Sequence, residues 1–398
     1  MKILMLTPYV PFPPSSGGQI RTLNLLKYLA KNHEISLVAL YKNKNEKDYI
    51  SHLNKYCKKI YLCKRPEKPW DLGNIFKAVF SFLPFLIVRN YSFEAKEIIK
   101  KLLLQEKFDV IHAETFYIMP HIPRTSIPIL LVEQTIEYKV YQHFINSLPF
   151  FIRLFFYIDI IKLTYWERYY WKKANLVAAV SSSDEKIIKS LENKIKTAIV
   201  PNGAGEEMIV DKLFQKDLKK PVILFQGNFN WLQNTEAAQY LINKLYPLLI
   251  KTIPHLKIII SGQNANKINF AQQESRNIEI KNITVGDTEM VRKLFRNSTL
   301  FIAPIFGPGG TRLKILASMA AGTPVISTRI GLEGLEITNF KQALIANSPK
   351  EFVEKISQIL SNKKMYDEIR ENAYLLVKEK YSWQRIAKKL ETVYQSIL

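Results

Sequence analysis

Residues 303 to 328 read APIFGPGGTRLKILASMAAGTPVIST. A short apolar run ends at Pro304, a glycine-rich loop follows, and a helical pattern opens at Thr311. Gly309 and Gly310 let a backbone approach a ligand closely, Thr311 is a capping type, and a helix start carries partial positive charge. Arg312 and Lys314 add two full positive charges where the dipole already disfavours cations. Such a segment is either a solvated basic turn or a seat for an anion such as a diphosphate, and the second reading explains why the two charges are placed there.

Two further loops share this character. SSGG, Ser15 to Gly18, comes just before the first helical pattern, and GNFNWLQN, Gly227 to Asn234, holds the same place in the second half, with Asn234 or Thr235 able to cap the helix that follows. In DVIHAE, His112 and Glu114 stand two apart and so share one side of an extended strand. Glu114 is the candidate for contact with an acceptor or sugar; His112 reads equally as a structural histidine. Cys57 and Cys63 fit neither a zinc spacing nor a CxxC motif, so they are expected as two buried free thiols.

These residues need elements to hold them. KILML reads as a buried parallel strand, IRTLNLLKYLAKN has helical spacing, and HEISLVALY is the next strand: the opening of a doubly wound α/β domain. FDVIHAE, PILLVEQT and ANLVAAVSSS supply later strands, and TAIVPNGAG closes the half. Residues 211 to 221, charged and ending in proline, look like a linker. The pattern restarts with PVILFQGNFNW, a helix over NTEAAQYLINKLYPLLIK, and strands in LKIIISGQN, IEIKNITVG, TLFIAPI, TPVIST and QALIANS. The expected organisation is α/β, with one Rossmann-like domain over 1–210, a second over 219–380, and a last helix over 381–398. Ligands of such sheets bind beyond the carboxyl ends of the strands.

Composition bounds the partners. The 398 residues are 47% hydrophobic and 23% charged, a globular balance. Lysines and arginines number 57 against 35 acidic residues, a net charge of +22. That favours anionic partners or reflects a lysine-rich solvated surface. No nucleic-acid motif is present and the basic residues are spread along the chain, so nucleic acid is not an expected partner. MKILMLTPYVPFPP has too short an apolar run for a signal peptide, and cytoplasmic placement is expected. Residues 144 to 173 and 70 to 91 crowd aromatic and aliphatic side chains beside lysine and arginine. Arg153 and Asp159 interrupt the longer run, so peripheral contact with an anionic membrane, at the inner face, is expected rather than a spanning helix.

The motifs TPYVPFPPSSGG, FDVIHAE, VEQTIEY, VSSSDEKII, IVPNGAG, ILFQGNFNWLQN and above all PIFGPGGTRLKILASMAAGTPVISTRIGLEGL make the chain similar, over nearly its whole length, to the retaining nucleotide-sugar-dependent glycosyltransferases of family 4. The resemblance implies the GT-B fold, two Rossmann-like domains facing each other across a cleft, with a UDP- or GDP-sugar donor held by the second domain and a glycan or lipid-linked acceptor by the first. It places Gly17 and Gly18 against the donor diphosphate, Gly227 and Asn228 in the loop under the phosphates, and Gly309, Gly310, Thr311, Arg312 and Lys314 on the phosphates or sugar. Glu114, His112 and Lys314 take the catalytic roles. It implies retention at the anomeric carbon, no metal cofactor, and a last helix that crosses back to the first domain. The chain departs from the family at Ala317 and Gly309, where a pair of glutamates is usual. A catalytically silent nucleotide-binding subunit and a GT-B nucleotide-sugar epimerase therefore stay open as alternatives.

Overall fold

The computed structural model describes every residue except Pro69, 269–275, Gly310, Thr311 and the side chain of Phe155. The chain forms two compact units, Met1–Pro201 with Ile386–Leu398, and Asn202–Arg385.

The first unit is built on seven strands: β1 (Lys2–Thr7), β2 (Glu34–Tyr41), β3 (Lys59–Lys64), β4 (Val110–Glu114), β5 (Ile129–Glu133), β6 (Leu176–Ala179) and β7 (Thr197–Ile199). They lie in the order β3-β2-β1-β4-β5-β6-β7, all parallel. A parallel sheet must be covered on both faces, and every residue of β4, β5 and β6 is accordingly buried, most of them apolar; His112, Glu114 and Glu133 are the polar exceptions. The chain winds outward from β1 to β3, then returns to place β4 on the other side of β1. The gap between the carboxyl ends of β1 and β4 is the topological switch point, where open α/β sheets bind ligands.

The second unit repeats the plan with β8 (Val222–Gln226), β9 (Lys257–Gly262), β10 (Ile278–Asn282), β11 (Leu300–Ala303), β12 (Val325–Ser327) and β13 (Leu344–Ile345), in the parallel order β10-β9-β8-β11-β12-β13. Its switch point falls between β8 and β11, so the loops after Gln226 and after Ala303 leave the sheet side by side.

Strand β3 has no counterpart in the sequence reading. KIYLCK is flanked by lysines and lies at the sheet edge, where only Cys63 is buried, so its apolar signal is weak. The segment 211–221, expected as a linker, packs onto the second unit. Arg370 Nη1 donates to the Phe214 carbonyl at 2.6 Å, Tyr374 Oη donates to the Val210 carbonyl at 2.8 Å, and Arg296 stacks on the Phe214 ring. The last helix, Trp383–Gln395, contributes Ile386 onward to the first unit: His33 Nε2 lies 2.9 Å from Glu391 Oε1, and Tyr394 Oη meets His112 Nδ1. Cys57 and Cys63 are buried free thiols, and burial pushes both up to about 12.

The helix Phe150–Lys173 is apolar on two sides. Leu163, Glu167 and Trp171 are fully buried, whereas Phe150, Phe151, Leu154, Ile158 and Ile161 are exposed. Beside it, Leu72–Phe80 exposes Leu72, Phe76, Val79 and Phe80. Lys162 Nζ ties the two helices together by donating to the carbonyls of Ala78 and Ser81 at 2.8 and 2.7 Å. No helix among the described residues is long and apolar enough to cross a membrane.

The tightest backbone constraint lies at the end of β9. Gly262 has φ +137°, and a Cβ there would stand 1.8 Å from the Gly227 carbonyl oxygen. Gly262→Ala therefore forces the Gly227 loop away. The expected loss is about 1–3 kcal/mol of stability, the usual cost of such a strained backbone. Thermal or urea unfolding checks it; a wild-type melting curve would show that the loop yields freely.

Candidate functional site

The second unit brings its cations together at the β8–β11 switch point. The helix after β11 runs from Leu313 to Ala320. Arg312 occupies the capping position in an extended conformation and makes no capping bond; instead its Nη2 reaches back to the Gly307 carbonyl at 2.8 Å. The charged side chain thus closes the loop on itself. Gly309, at φ +151°, lies against this guanidinium. Gly310 and Thr311 lie outside the described residues.

Lys314, in the first turn of that helix, turns across to the other loop. Its Nζ donates to Asn234 Oδ1 at 2.6 Å, stands 5.0 Å from the centre of the Phe225 ring, and packs against Gly227, where a Cβ would come within 3.1 Å of it. Burial, reinforced by the Arg312 charge, pushes the ammonium down to about 7. A lysine in that range gains from any anion that approaches it.

Asn234 does not cap its helix, as the sequence suggested it might do along with Thr235. The helix Leu232–Tyr240 has Trp231 at its capping position and no side-chain cap bond. Asn234 instead bridges the two loops, with Nδ2 donating to the Asn228 carbonyl at 2.7 Å and Oδ1 accepting from Lys314. Thr235 Oγ1 donates to the Phe229 carbonyl. Asn228 is similarly occupied: its Nδ2 donates to Gln263 Oε1, and its Oδ1 accepts from the Asn230 amide and from Asn264 Nδ2. Its side chain shapes the loop, whose backbone is held as well: the Gly227 and Phe229 amides donate to the carbonyls of Ser261 and Gln263, each at 3.0 Å. Ala317 is half-buried and packs against the core of the second unit.

In the first unit the glycine loop is shorter than the sequence suggested. Ser16 caps the helix Gly17–Leu29 by accepting from the Gln19 amide, so Gly17 and Gly18 form its first turn. Gly17 is exposed, and Gly18 lies against Tyr9 Oη and Gln134 Oε1. Beneath it, at the β1–β4 switch point, sits a buried polar network. His112 Nε2 is 3.0 Å from Glu114 Oε1, Gln134 Nε2 donates to Glu114 Oε2 at 2.6 Å, and Arg21 Nε lies 3.8 Å from Glu114 Oε1. Gln134 Nε2 also donates to Tyr9 Oη, which meets Thr22 Oγ1. Burial alone would raise the Glu114 carboxyl; the His112 hydrogen bond and charge, with Arg21 and Gln134, outweigh it and hold the group below the ordinary carboxylate range. His112 and Glu114 do meet, as their spacing implied, but both are fully buried. Arg21 and Gln134 were not singled out from the sequence: an arginine inside the apolar face of IRTLNLL breaks amphipathicity and is the only sign it leaves.

A second group of carboxyls follows β5. Glu133 is fully buried and accepts from Trp171 Nε1 at 2.8 Å; burial and the Glu167 charge raise it well above the ordinary range. Glu167 accepts from the amides of Glu137 and Tyr138, yet burial pushes it up to about 8. Glu137 is pushed by burial up to about 7. These groups come from residues 133, 137 and 167, too far apart in sequence to read as a cluster.

The two sheets and their loops match known proteins. The description Glycosyltransferase Family 4 fits residues 15–206, and Glycosyl transferases group 1 fits residues 220–362. A 44.6-kDa protein in the cps region of Klebsiella pneumoniae is 24% identical over 97% of both chains. The sucrose-phosphate synthase structure of Thermosynechococcus elongatus superposes with a TM-score of 0.72 at 15% identity, covering 100% of this chain and 99% of that one. The HepE structure of Anabaena, in complex with UDP and glucose, superposes at 0.62 with 12% identity over 100% of both. With two parallel Rossmann-like sheets and both family descriptions spread over its two halves, the chain belongs to the glycosyltransferases of family 4, with the GT-B fold.

Proposed function

We propose that this glycosyltransferase moves a sugar, with retention at the anomeric carbon, from a UDP- or GDP-sugar to a glycan or lipid-linked acceptor in cell-surface polysaccharide or glycolipid synthesis. The observation that carries the reading is the pairing of Arg312 and Lys314 across the β8–β11 switch point, with Lys314 held by Asn234 over the Gly227 loop. The UDP and glucose bound by HepE and the cps-region location of the Klebsiella relative support it. As the bond from the anomeric carbon to the donor phosphate breaks, negative charge gathers on the departing diphosphate. Arg312, Lys314 and the loop amides stabilise that charge, and no metal is assigned to the task. The acceptor hydroxyl attacks on the face the phosphate leaves, and a phosphate oxygen takes its proton. Glu114 and His112, sealed in their network, position the floor of the first unit rather than touch the reacting atoms. This reading expects turnover unchanged by a chelator; a requirement for added divalent cation would return charge stabilisation to a metal.

Lys314→Ala should lower turnover about a hundredfold, the usual effect of removing one such charge-stabilising group, and weaken nucleotide binding less. Arg312→Ala should mainly weaken UDP or GDP binding, because it meets charge already present in the ground state. Ala317→Glu should be tolerated and tighten nucleotide binding. Steady-state kinetics and calorimetry check all three. Wild-type behaviour of both alanine variants would remove the loop from the site. Nucleotide binding without turnover over a donor and acceptor panel would instead favour a silent subunit, the reading that Ala317 and Gly309 leave open.

Lys314 also sets a pH dependence. Its free-state value of about 7 lies below that of an ordinary lysine, and a bound diphosphate restores the charged form. Binding therefore takes up a proton above pH 7, and affinity should fall as pH rises toward about 9, by at most about tenfold per unit. Calorimetry in buffers of different ionisation enthalpy measures the proton, and Lys314→Ala should remove it.

The apolar face of Leu72–Phe80 and Phe150–Lys173 is assigned to an anionic membrane, at which the acceptor would be met. Lys68 and Lys77 are exposed beside Leu72, Phe76 and Phe80, and aromatic side chains with flanking cations suit an acidic lipid surface. Liposome co-sedimentation should rise with acidic lipid and drop with salt, and Phe76→Ser with Phe80→Ser should reduce it. Equal recovery on neutral and acidic vesicles would count against the electrostatic part.

A further inference from the structure

A second set of cations stands at the carboxyl edge of the first sheet, apart from the Glu114 network. Lys42 and Arg65 are the residues that follow β2 and β3. These strands pair in parallel with Tyr41 opposite Lys64, and the Arg65 amide donates to the Tyr41 carbonyl at 3.0 Å, so the two side chains leave the sheet next to each other. Arg65 Nη1 donates to Asn90 Oδ1, and Asn90, buried, is anchored by its Nδ2 to the Leu86 carbonyl at 2.8 Å. Arg89, the neighbour of Asn90, ends the short helix Phe85–Val88. The asparagine thus fixes one arginine beside the other.

Three cations are expensive to hold together. Burial and the charges of Arg65 and Arg89 lower Lys42; burial lowers Arg65 to about 10, with Arg89 adding to the effect. The Nε atoms of Arg65 and Arg89 are buried and have no hydrogen-bond partner among the described residues. The facing groups offset the set only in part. The Glu46 carboxylate, whose Oε1 accepts from the amides of Lys42 and Asn43, acts on Lys42 and Arg65; Glu137 is pushed up to about 7, and Tyr117 and Tyr141 are held in their neutral forms by burial, so the three cations keep a net positive charge. Buried donors of fixed geometry on two guanidinium groups, with a lysine alongside, are what a phosphate needs.

The surroundings say where the phosphate comes from. Phe85 and Val88, on the helix that Arg89 ends, pack with Ala78 of the exposed helix Leu72–Phe80, and Trp70 stacks on Phe85 at 4.7 Å. The cations therefore lie one short helix away from the apolar face assigned to the membrane. We propose that Lys42, Arg65 and Arg89 form a second anion site, which holds the phosphate of a lipid-linked acceptor while its chain stays on the apolar face. The phosphate half stands on these residues alone; the lipid half rests on the lipid-linked acceptor reading given above.

Farnesyl diphosphate and inorganic pyrophosphate serve as probes, with calorimetric titration of the full chain carrying Arg312→Ala and Lys314→Ala, so that the second unit's cations do not contribute. Farnesyl diphosphate should bind more tightly than pyrophosphate. Adding Lys42→Gln or Arg89→Gln should weaken it about tenfold or more, as loss of a hydrogen bond to a charged group does. Arg89→Lys, which keeps the charge, should retain most of the affinity and guards against a folding defect, which the melting temperature also monitors. Separately, the Gln variants in the otherwise unchanged chain should bind UDP or GDP like wild type. Equal affinity for the two probes would overturn the lipid assignment and leave a phosphate site. Failure of both probes to bind, or binding indifferent to Lys42 and Arg89, would overturn the site itself. Farnesyl diphosphate binding in a chain that binds neither UDP nor GDP would sink the donor reading and leave this one standing.

Discussion

The hydrogen bond from Lys314 to Asn234 joins the two segments, the loop after β8 and the helix after β11, at which donor binding is proposed. A lysine pressed against an aromatic ring and a glycine backbone loses much of its hydration, and only a well-placed acceptor keeps it there. Asn234 is that acceptor, and it is neutral. A carboxylate in its place would hold the ammonium more strongly and would also cancel the charge that an incoming diphosphate needs. An amide fixes the position of the cation without spending its charge. The same amide ties down the Asn228 carbonyl, so the loop after β8 and the helix after β11 are positioned by one side chain.

The first unit meets the same difficulty in the opposite way. Arg21 is buried at its switch point, and there Glu114 stands close by with His112 and Gln134 completing the network. Charge is neutralised within the protein, which gives a rigid floor under Gly18 and little electrostatic pull on a ligand. Two sheets of one design thus carry different ends at their switch points: one internally compensated, one left positive. That difference fits the proposal that the donor diphosphate is held at the switch point of the second unit and not at that of the first.

Much of this was legible in the sequence because the central strands are continuous apolar runs and the helices between them are periodic. β1, β2, β4, β5 and β11 follow from composition alone, and so do the positions of the glycine loops, since a parallel sheet places its loops at fixed points of the pattern. The edge strand β3 was not legible, because one buried residue in six leaves little apolar signal. Helix starts were legible only to within two residues: Arg312 bonds back to Gly307 rather than entering the helix, and Asn234 spends its amide across the loops rather than on a cap. Both departures put a polar side chain to long-range use where local rules expect a short-range one. The packed segment before β8 misled for a related reason: its charges suggest solvent, but the carbonyls of Val210 and Phe214 are the groups that bind, and backbone acceptors leave no mark on composition.

Residues far apart in sequence were the least visible. Lys42, Arg65 and Arg89 look like three of many lysines and arginines in a basic chain. Only the parallel pairing of β2 with β3, and the asparagine that follows Arg89, make them neighbours. Their placement also answers a question that composition raises. A charge of +22 spread over a surface is inexpensive, because water screens it; the costly cations are the few the fold draws together and partly shields. Arg312 with Lys314 in the second unit and these three in the first lie at the carboxyl edges of their sheets, and Lys216, lowered to about 8 by burial and by the charges of Arg370 and Arg296, marks a further such group in the second unit. Cations held together at the carboxyl edge of a sheet repel one another until an anion binds between them, so these placements, rather than the total charge, support the proposal of phosphorylated substrates.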